Sequence, residues 1–394
     1  MDYSVTRLTA VSSTPTQRSG EVDLPYLALV MLLLVIGVIM VLSASFVRAY
    51  YTEGSATYYF VRQLIFAVTG IVIMLTASRF PISFYRRLSF PFLAATLVLL
   101  LLVLFIGVGT GGGVRRWLNF GFFTIQPSEF AKLAVILVFA HMICRFRSAM
   151  GTFRYGILPF AGVLLVIGVL LVMQPHMSAT IIIFAIGAVM MFMGGAQLIW
   201  FVAGGSLLVI AFVAITVLFP YVSTRVTTWL DPWSNLQGDG YQIVQSIYAI
   251  SSGGLFGLGL GNSRQKYLYL PEEHNDFIFA DHTQELGCVG AILILLLFAL
   301  LICRGYWIAF HCSDRYSFLV AVGISTLLAM QVILNVAVVT NTIPCTGISL
   351  PFFSYGGTAL WIELGEMGIM LSISRDMLAI QPQGKHEKRE RIKL

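Results

Sequence analysis

Two basic residues sit where a bilayer would make them costly. Arg62 lies roughly one helical turn inside the apolar segment 57–78, and Lys132 lies at a similar depth in 127–144, which opens with Gln126-Pro127-Ser128-Glu129. Charges placed this way mark a partner or a function. Pro127 suits the first position of a helix. A helix start beside Arg62 and Lys132 would therefore offer free N–H groups and two cations to an anionic, phosphate-bearing headgroup. The alternative is local: Lys132 pairs with Glu129 at i,i+3 and Arg62 snorkels to the surface.

A second cluster is acidic, Pro271-Glu272-Glu273-His274-Asn275-Asp276-Phe277-Ile278-Phe279-Ala280, just before another apolar segment. A carboxylate at a wet boundary can take a proton from a sugar hydroxyl. The same acids and His274 could hold a hard cation such as magnesium or manganese, or the run could be a solvated loop end. Periodicity does not choose among Glu272, Glu273, Asp276 and Asp281. Glu285, Glu363 and Glu366 lie in or beside later apolar segments, where they would serve either a proton path or structural pairing. His141 and His176 have no ligand-spaced partners and read as packing or boundary residues.

Gly257-Leu258-Gly259-Leu260-Gly261 lacks the GxGxxG spacing and follows no βαβ strand, so it reads as a tight turn or a close backbone approach. No GxxxxGK[ST] segment accompanies it, which argues against a built-in ATP motor.

The elements that must position these residues are membrane helices. Of 394 residues, 58% are hydrophobic and 11% charged, against about 25% charged in soluble domains. Unbroken apolar runs such as 26–43 exclude a soluble domain, a disordered chain and an alternating barrel. The chain reads as all-α and polytopic, with ten transmembrane helices over 24–46, 57–78, 88–109, 127–144, 157–174, 177–195, 198–219, 283–304, 317–340 and 355–375.

Basic residues orient the spans. With the N-terminus cytoplasmic, only Arg48, Arg115, Arg116, Arg225, Arg264 and Lys266 of the 24 Lys and Arg fall in outer loops. Arg62 and Lys132 fall within spans, and the rest face the cytoplasm, so both termini are placed inside. The net charge of +6 is then a topology signal with no call on nucleic acid. The chain divides into an N-terminal tail over 1–23, a membrane domain over 24–375 and a basic tail over 376–394. A large extracytoplasmic loop, 220–282, joins helices 7 and 8, and a loop of that length is usually functional. The first apolar run is long enough to remain as an anchor rather than a cleaved leader. The five cysteines form no CxxC and suggest no disulfide.

Several ordered motifs resemble the SEDS family (shape, elongation, division and sporulation; FtsW/RodA/SpoVE). They are Arg115-Arg116-Trp117-Leu118 with Gln126-Pro127-Ser128-Glu129 and Lys132, Leu230-Asp231-Pro232-Trp233, Gly240-Tyr241-Gln242 and the 253–261 glycines. Leu270-Pro271-Glu272 with Asp276–Ala280 follows, then Asn335, Pro344, Gly347, and Leu350-Pro351-Phe352 with Ser354-Tyr355-Gly356-Gly357. The set covers about residues 25–375.

The resemblance implies a bacterial cytoplasmic-membrane peptidoglycan glycosyltransferase that polymerises lipid II, with Asp276 as general base and undecaprenyl pyrophosphate as leaving group. The leaving group's charge agrees with the separate reading of Arg62, Lys132 and the helix start at 126–129. Substrate contacts are expected from Arg62, Lys132, Arg115, Arg116, Gln126, Ser128, Glu129, Ser354, Tyr355 and Gly356, with Glu285 and Glu272 supporting. Implied partners are a class B penicillin-binding protein, a transpeptidase, and other divisome or elongation-complex membrane proteins. The Asn341–Tyr355 stretch leans toward the division type. The alternatives are a lipid II flippase or transporter and a non-catalytic divisome scaffold. Three departures stand out: Gln174-Pro175-His176 where the family often has an acid, Asp281-His282-Thr283-Gln284-Glu285 after the DFIFA run, and Thr358 in place of Ser.

Overall fold

A computed structural model describes residues 22–380, apart from 110–114, 122, 219, 237, 239, 268 and 272–273. The chain forms α1 (Leu24–Glu53), α2 (Tyr58–Ala77), α3 (Ile82–Ile106), a two-stranded hairpin of β1 (Leu118–Asn119) and β2 (Thr124–Ile125), and α4 (Pro127–Arg145). Then follow α5 (Phe153–Gly156), α6 (Leu158–Met173), α7 (Met177–Gly194), α8 (Leu198–Leu218), α9 (Pro220–Leu230) and a 3₁₀ turn at Pro232–Asn235. The last elements are α10 (Tyr241–Gly253), α11 (Ile278–Phe310), α12 (Arg315–Val339) and α13 (Gly357–Ile380).

Among the described residues, eight helical segments are long and apolar enough to cross a membrane, each at a predicted span. The predicted spans 198–219 and 355–375 are occupied by α8 and α13, although neither counts among the eight. The boundaries shift where caps act. At the start of α1 the Asp23 carboxylate accepts the Tyr26 N–H at 2.9 Å, and the helix runs on to Glu53, where Gly54 ends it in the left-handed region. The predicted outer loop is not irregular throughout, because α9, the 3₁₀ turn and α10 lie within it.

α4 and α12 are buried over most of their length and form the centre of the bundle. α4 packs on α3, α7 and α12, while α13 packs on α2 and α11 on α12. Outward-facing Val35, Val68, Val98, Leu165 and Leu293 are exposed, as lipid-facing residues should be. At the N-cap of α1, the buried Asp23 carboxylate accepts from Arg304 of α11, from Nε at 3.0 Å and from Nη2 at 2.7 Å.

α11 is broken. Gly287 has φ 70° and ψ −175° inside it, so Ile278–Leu286 forms a separate half-helix. The carbonyls freed there would be costly at membrane depth. The glycine loop satisfies them: Leu258 and Gly259 N–H groups donate to the Gln284 and Glu285 carbonyls, and Cys288 and Val289 donate back to Gly254 and Leu255. Gly257, Gly259 and Gly261 all have positive φ, so the glycine run is the close backbone approach its spacing suggested.

A Cβ on Gly287 would collide with the Gly257 nitrogen and stand 2.5 Å from the Leu255 oxygen. Gly287→Ala is therefore expected to cost about 2–6 kcal/mol, from left-handed strain and overpacking together. A lowered melting temperature in detergent checks this. A variant that melts with wild type would mean that the kink relaxes freely.

Candidate functional site

Residues from α2, the β-hairpin, α4, α7 and the 275–276 and 347–363 segments enclose a cavity of about 660 Å³. Arg62, Arg116, Gln126, Glu129, Lys132, Asp276, Ser354, Tyr355 and Gly356 all border it. Sequence positions as far apart as 62 and 356 thus share one chamber.

Three of its walls are built by buried amides and hydroxyls. The Asn335 amide donates to the Asp276 carbonyl at 2.9 Å and to the Ile348 carbonyl at 2.6 Å, tying the acidic run to the segment after α12. The Ser354 hydroxyl donates to the Asn275 carbonyl at 2.8 Å and accepts the Leu350 N–H at 2.7 Å. Gln63 holds the next turn, donating to the Ser354 carbonyl and accepting the Gly356 N–H. Asp276 is therefore fixed through its backbone, which leaves the carboxylate at the cavity edge against Gly347.

The basic groups are also held. Arg62 lies over the Tyr58 ring at 4.7 Å and hydrogen-bonds Tyr355. Lys132 pairs with Glu129 at 2.6 Å, so the local alternative holds for this residue, which also lines the cavity. Arg116 donates to the Pro175 carbonyl and fixes the turn before α7. His176, at the head of α7, is 6% exposed. Burial, with Arg116 and Lys132 close by, pushes its imidazole down to about 3.

Three predicted residues stand elsewhere. Arg115 does not line the cavity, because its guanidinium donates to the Leu104 and Phe105 carbonyls and caps the end of α3. Ser128 is buried within the first turn of α4 and is absent from the lining. Glu285 is fully buried away from the cavity, accepting from the Ser43 hydroxyl at 2.6 Å and facing Lys266 at 3.4 Å. Its neighbour Gln284 holds Ser263, Gln265 N–H and Ser252, so the altered 281–285 segment clamps the outer loop. Glu272 lies outside the described residues.

Glu363 borders the cavity, and its carboxylate accepts the Phe352 N–H at 3.0 Å, supporting a residue held at φ 64°. The sequence reading passed over Gln63, Gln331 and the side-chain role of Asn335. All three are buried polar residues within apolar helices, and that cost was the available signal. Among the described residues, no group of three or more His, Cys, Asp or Glu side chains could hold a metal ion.

Such a fold, apolar helices around a chamber bordered by cations and a carboxylate, defines a polytopic helical membrane protein. The chain belongs to the FtsW/RodA/SpoVE family of cell cycle proteins, whose model matches residues 24–378. It is 42% identical to the stage V sporulation protein E of Bacillus subtilis, over 91% of this chain and 99% of that protein. It is 39% identical to a probable peptidoglycan glycosyltransferase FtsW of Trichlorobacter lovleyi, over 94% of this chain and 98% of that protein.

A solved chain from a peptidoglycan synthase complex that coordinates polymerization and crosslinking superposes with a TM-score of 0.74 at 26% identity, covering 90% of this chain and 98% of that one. The Thermus thermophilus rod shape determining protein RodA shares the fold, with a TM-score of 0.65 at 24% identity, covering 90% of this chain and 97% of that one. The protein is a multi-pass protein of the bacterial cytoplasmic membrane.

Proposed function

We propose that this protein polymerises lipid II into glycan strands at the outer face of the membrane. One observation carries the reading: a carboxylate, Asp276, and three cations, Arg62, Arg116 and Lys132, border the same chamber. Relatives named as probable peptidoglycan glycosyltransferases support it. In this reading the chain crosses the bilayer ten times with both ends cytoplasmic, which puts the hairpin, α9 and α10 outside.

Asp276 accepts the proton of the acceptor's GlcNAc 4-hydroxyl as that oxygen attacks the anomeric carbon of the donor MurNAc. The new glycosidic bond forms as the bond from the anomeric carbon to the diphosphate oxygen breaks. Undecaprenyl diphosphate departs with the electron pair, and its growing charge meets Arg62, Arg116 and Lys132. Ser354 and Asn335 position the base through the backbone. Glu129 holds the Lys132 ammonium, and Gly356 leaves room on the α13 side. The polymerase acts with a class B penicillin-binding protein, as the similarity to a synthase-complex chain suggests. The protein serves the division-type role, a reading supported by the relatives named FtsW.

The flippase alternative would route protons through Glu363 and Glu366. Glu363 is instead occupied in holding the Phe352 turn, which favours the polymerase. The deciding experiment supplies lipid II accessible to the outer face of vesicles, with the partner present, and resolves products on a gel. Strands from wild type and from Glu363→Gln are expected. No strands from folded wild type with a verified partner would overturn the reading and move it to transport or scaffolding.

A further inference from the structure

His176 stands at the head of α7, and Gln126 stands at the head of α4. Neither side chain caps its own helix. They face each other instead, with the Gln126 amide nitrogen 3.5 Å from His176 Nε2. Both residues border the cavity, as do Ser178 and Ala179 in the first turn of α7. His176 Nδ1 is buried and has no hydrogen-bond partner.

The tautomer follows from these contacts. Burial, and next to it the nearby Arg116 and Lys132, keeps the imidazole uncharged. A neutral imidazole carries one proton, and an amide N–H donating to Nε2 leaves that proton on Nδ1. The result is a neutral donor without an acceptor, set between two cations at the mouth of a helix N-terminus. An anion oxygen is the group that would complete it.

We infer that His176 is a substrate-contacting residue whose Nδ1–H, oriented by Gln126, donates to an oxygen of an isoprenoid diphosphate held between Arg116 and Lys132. The inference rests on the reading that the cavity takes a lipid-linked diphosphate. It assigns to the histidine a role that an acid at this position could not fill, since a carboxylate there would repel the diphosphate and offer no donor.

The test titrates undecaprenyl diphosphate into the full chain in detergent, with undecaprenol as the control for the lipid tail. His176→Asp and His176→Phe are expected to weaken diphosphate binding by about ten- to a hundredfold, the scale of one hydrogen bond to a charged group. His176→Asn keeps a neutral donor and should stay within about threefold of wild type. Undecaprenol binding should not change. If His176→Phe fails to fold, the near-isosteric Asn and Asp variants decide alone, because they differ in charge and donor only. Equal affinity in wild type and His176→Asp, or Asn as weak as Asp, overturns the inference. Because binding needs no turnover, wild type that binds the diphosphate yet forms no strands with a verified partner would overturn the polymerase reading and leave this one standing.

Discussion

Asp276→Ala is expected to lower strand formation by about 10²–10⁴-fold, the usual contribution of a positioned general base. Removal of the carboxylate should not unfold the site. The segment is tied through the Asp276 and Asn275 carbonyls, which accept from Asn335 and Ser354 and survive the substitution. Asp276→Asn keeps the shape and removes only the basicity, so it should lose about as much rate. Gel-resolved strands from lipid II, at equal amounts of protein melting like wild type, provide the measurement. Affinity for undecaprenyl diphosphate should persist in both variants, since the cations that hold it are untouched. A rate within about threefold of wild type for both variants would remove Asp276 from the chemistry.

Lys132→Met is expected to destabilise the protein by about 3–5 kcal/mol, because it strands a buried carboxylate. The Lys132 and Glu129 side chains are 4% and 9% exposed and lie 2.6 Å apart. Methionine fills the space of the lysine stem but leaves Glu129 without its counter-ion in a helix buried at the centre of the bundle. The double variant Glu129→Gln/Lys132→Met removes both charges and should recover most of the lost stability. Melting temperatures of the two singles and the double, read as a double-mutant cycle, give the coupling. Diphosphate affinity should not recover in the double variant, because the cation is still missing. A double variant that binds diphosphate as well as wild type would confine Lys132 to a structural role.

The two effects separate what the lysine does for the fold from what it does for the ligand. The same separation applies to the 281–285 segment. Gln284 and Glu285 do not border the chamber, yet they hold the loop carrying Ser263 and Lys266 against the half-helix that begins just after Asp276. Their influence on the base would pass through the position of that half-helix rather than through contact with substrate.

Composition and the unbroken apolar runs determined that this chain is a bundle of membrane helices, because a continuous apolar segment in lipid can satisfy its own backbone only as a helix, whereas a barrel strand alternates. Local spacing determined the Glu129–Lys132 pair, since i and i+3 meet on one helix whatever surrounds it. The glycine run at 257–261 was legible as a backbone approach, but not what it approached. Periodicity could not choose among Glu272, Glu273, Asp276 and Asp281, because a boundary segment of mixed turn and helix has no repeating face.

Only the tertiary structure decided that Asp276 borders the chamber while Arg115 caps α3 and Glu285 anchors a loop. It also turned His176 from a boundary residue into a wall of the cavity. The physical reason is that the chamber is a meeting of helix ends distant in sequence. A linear pattern records which face of each helix is apolar, but the depth and rotation at which α2, α4, α7 and α13 converge are set by the packing between them.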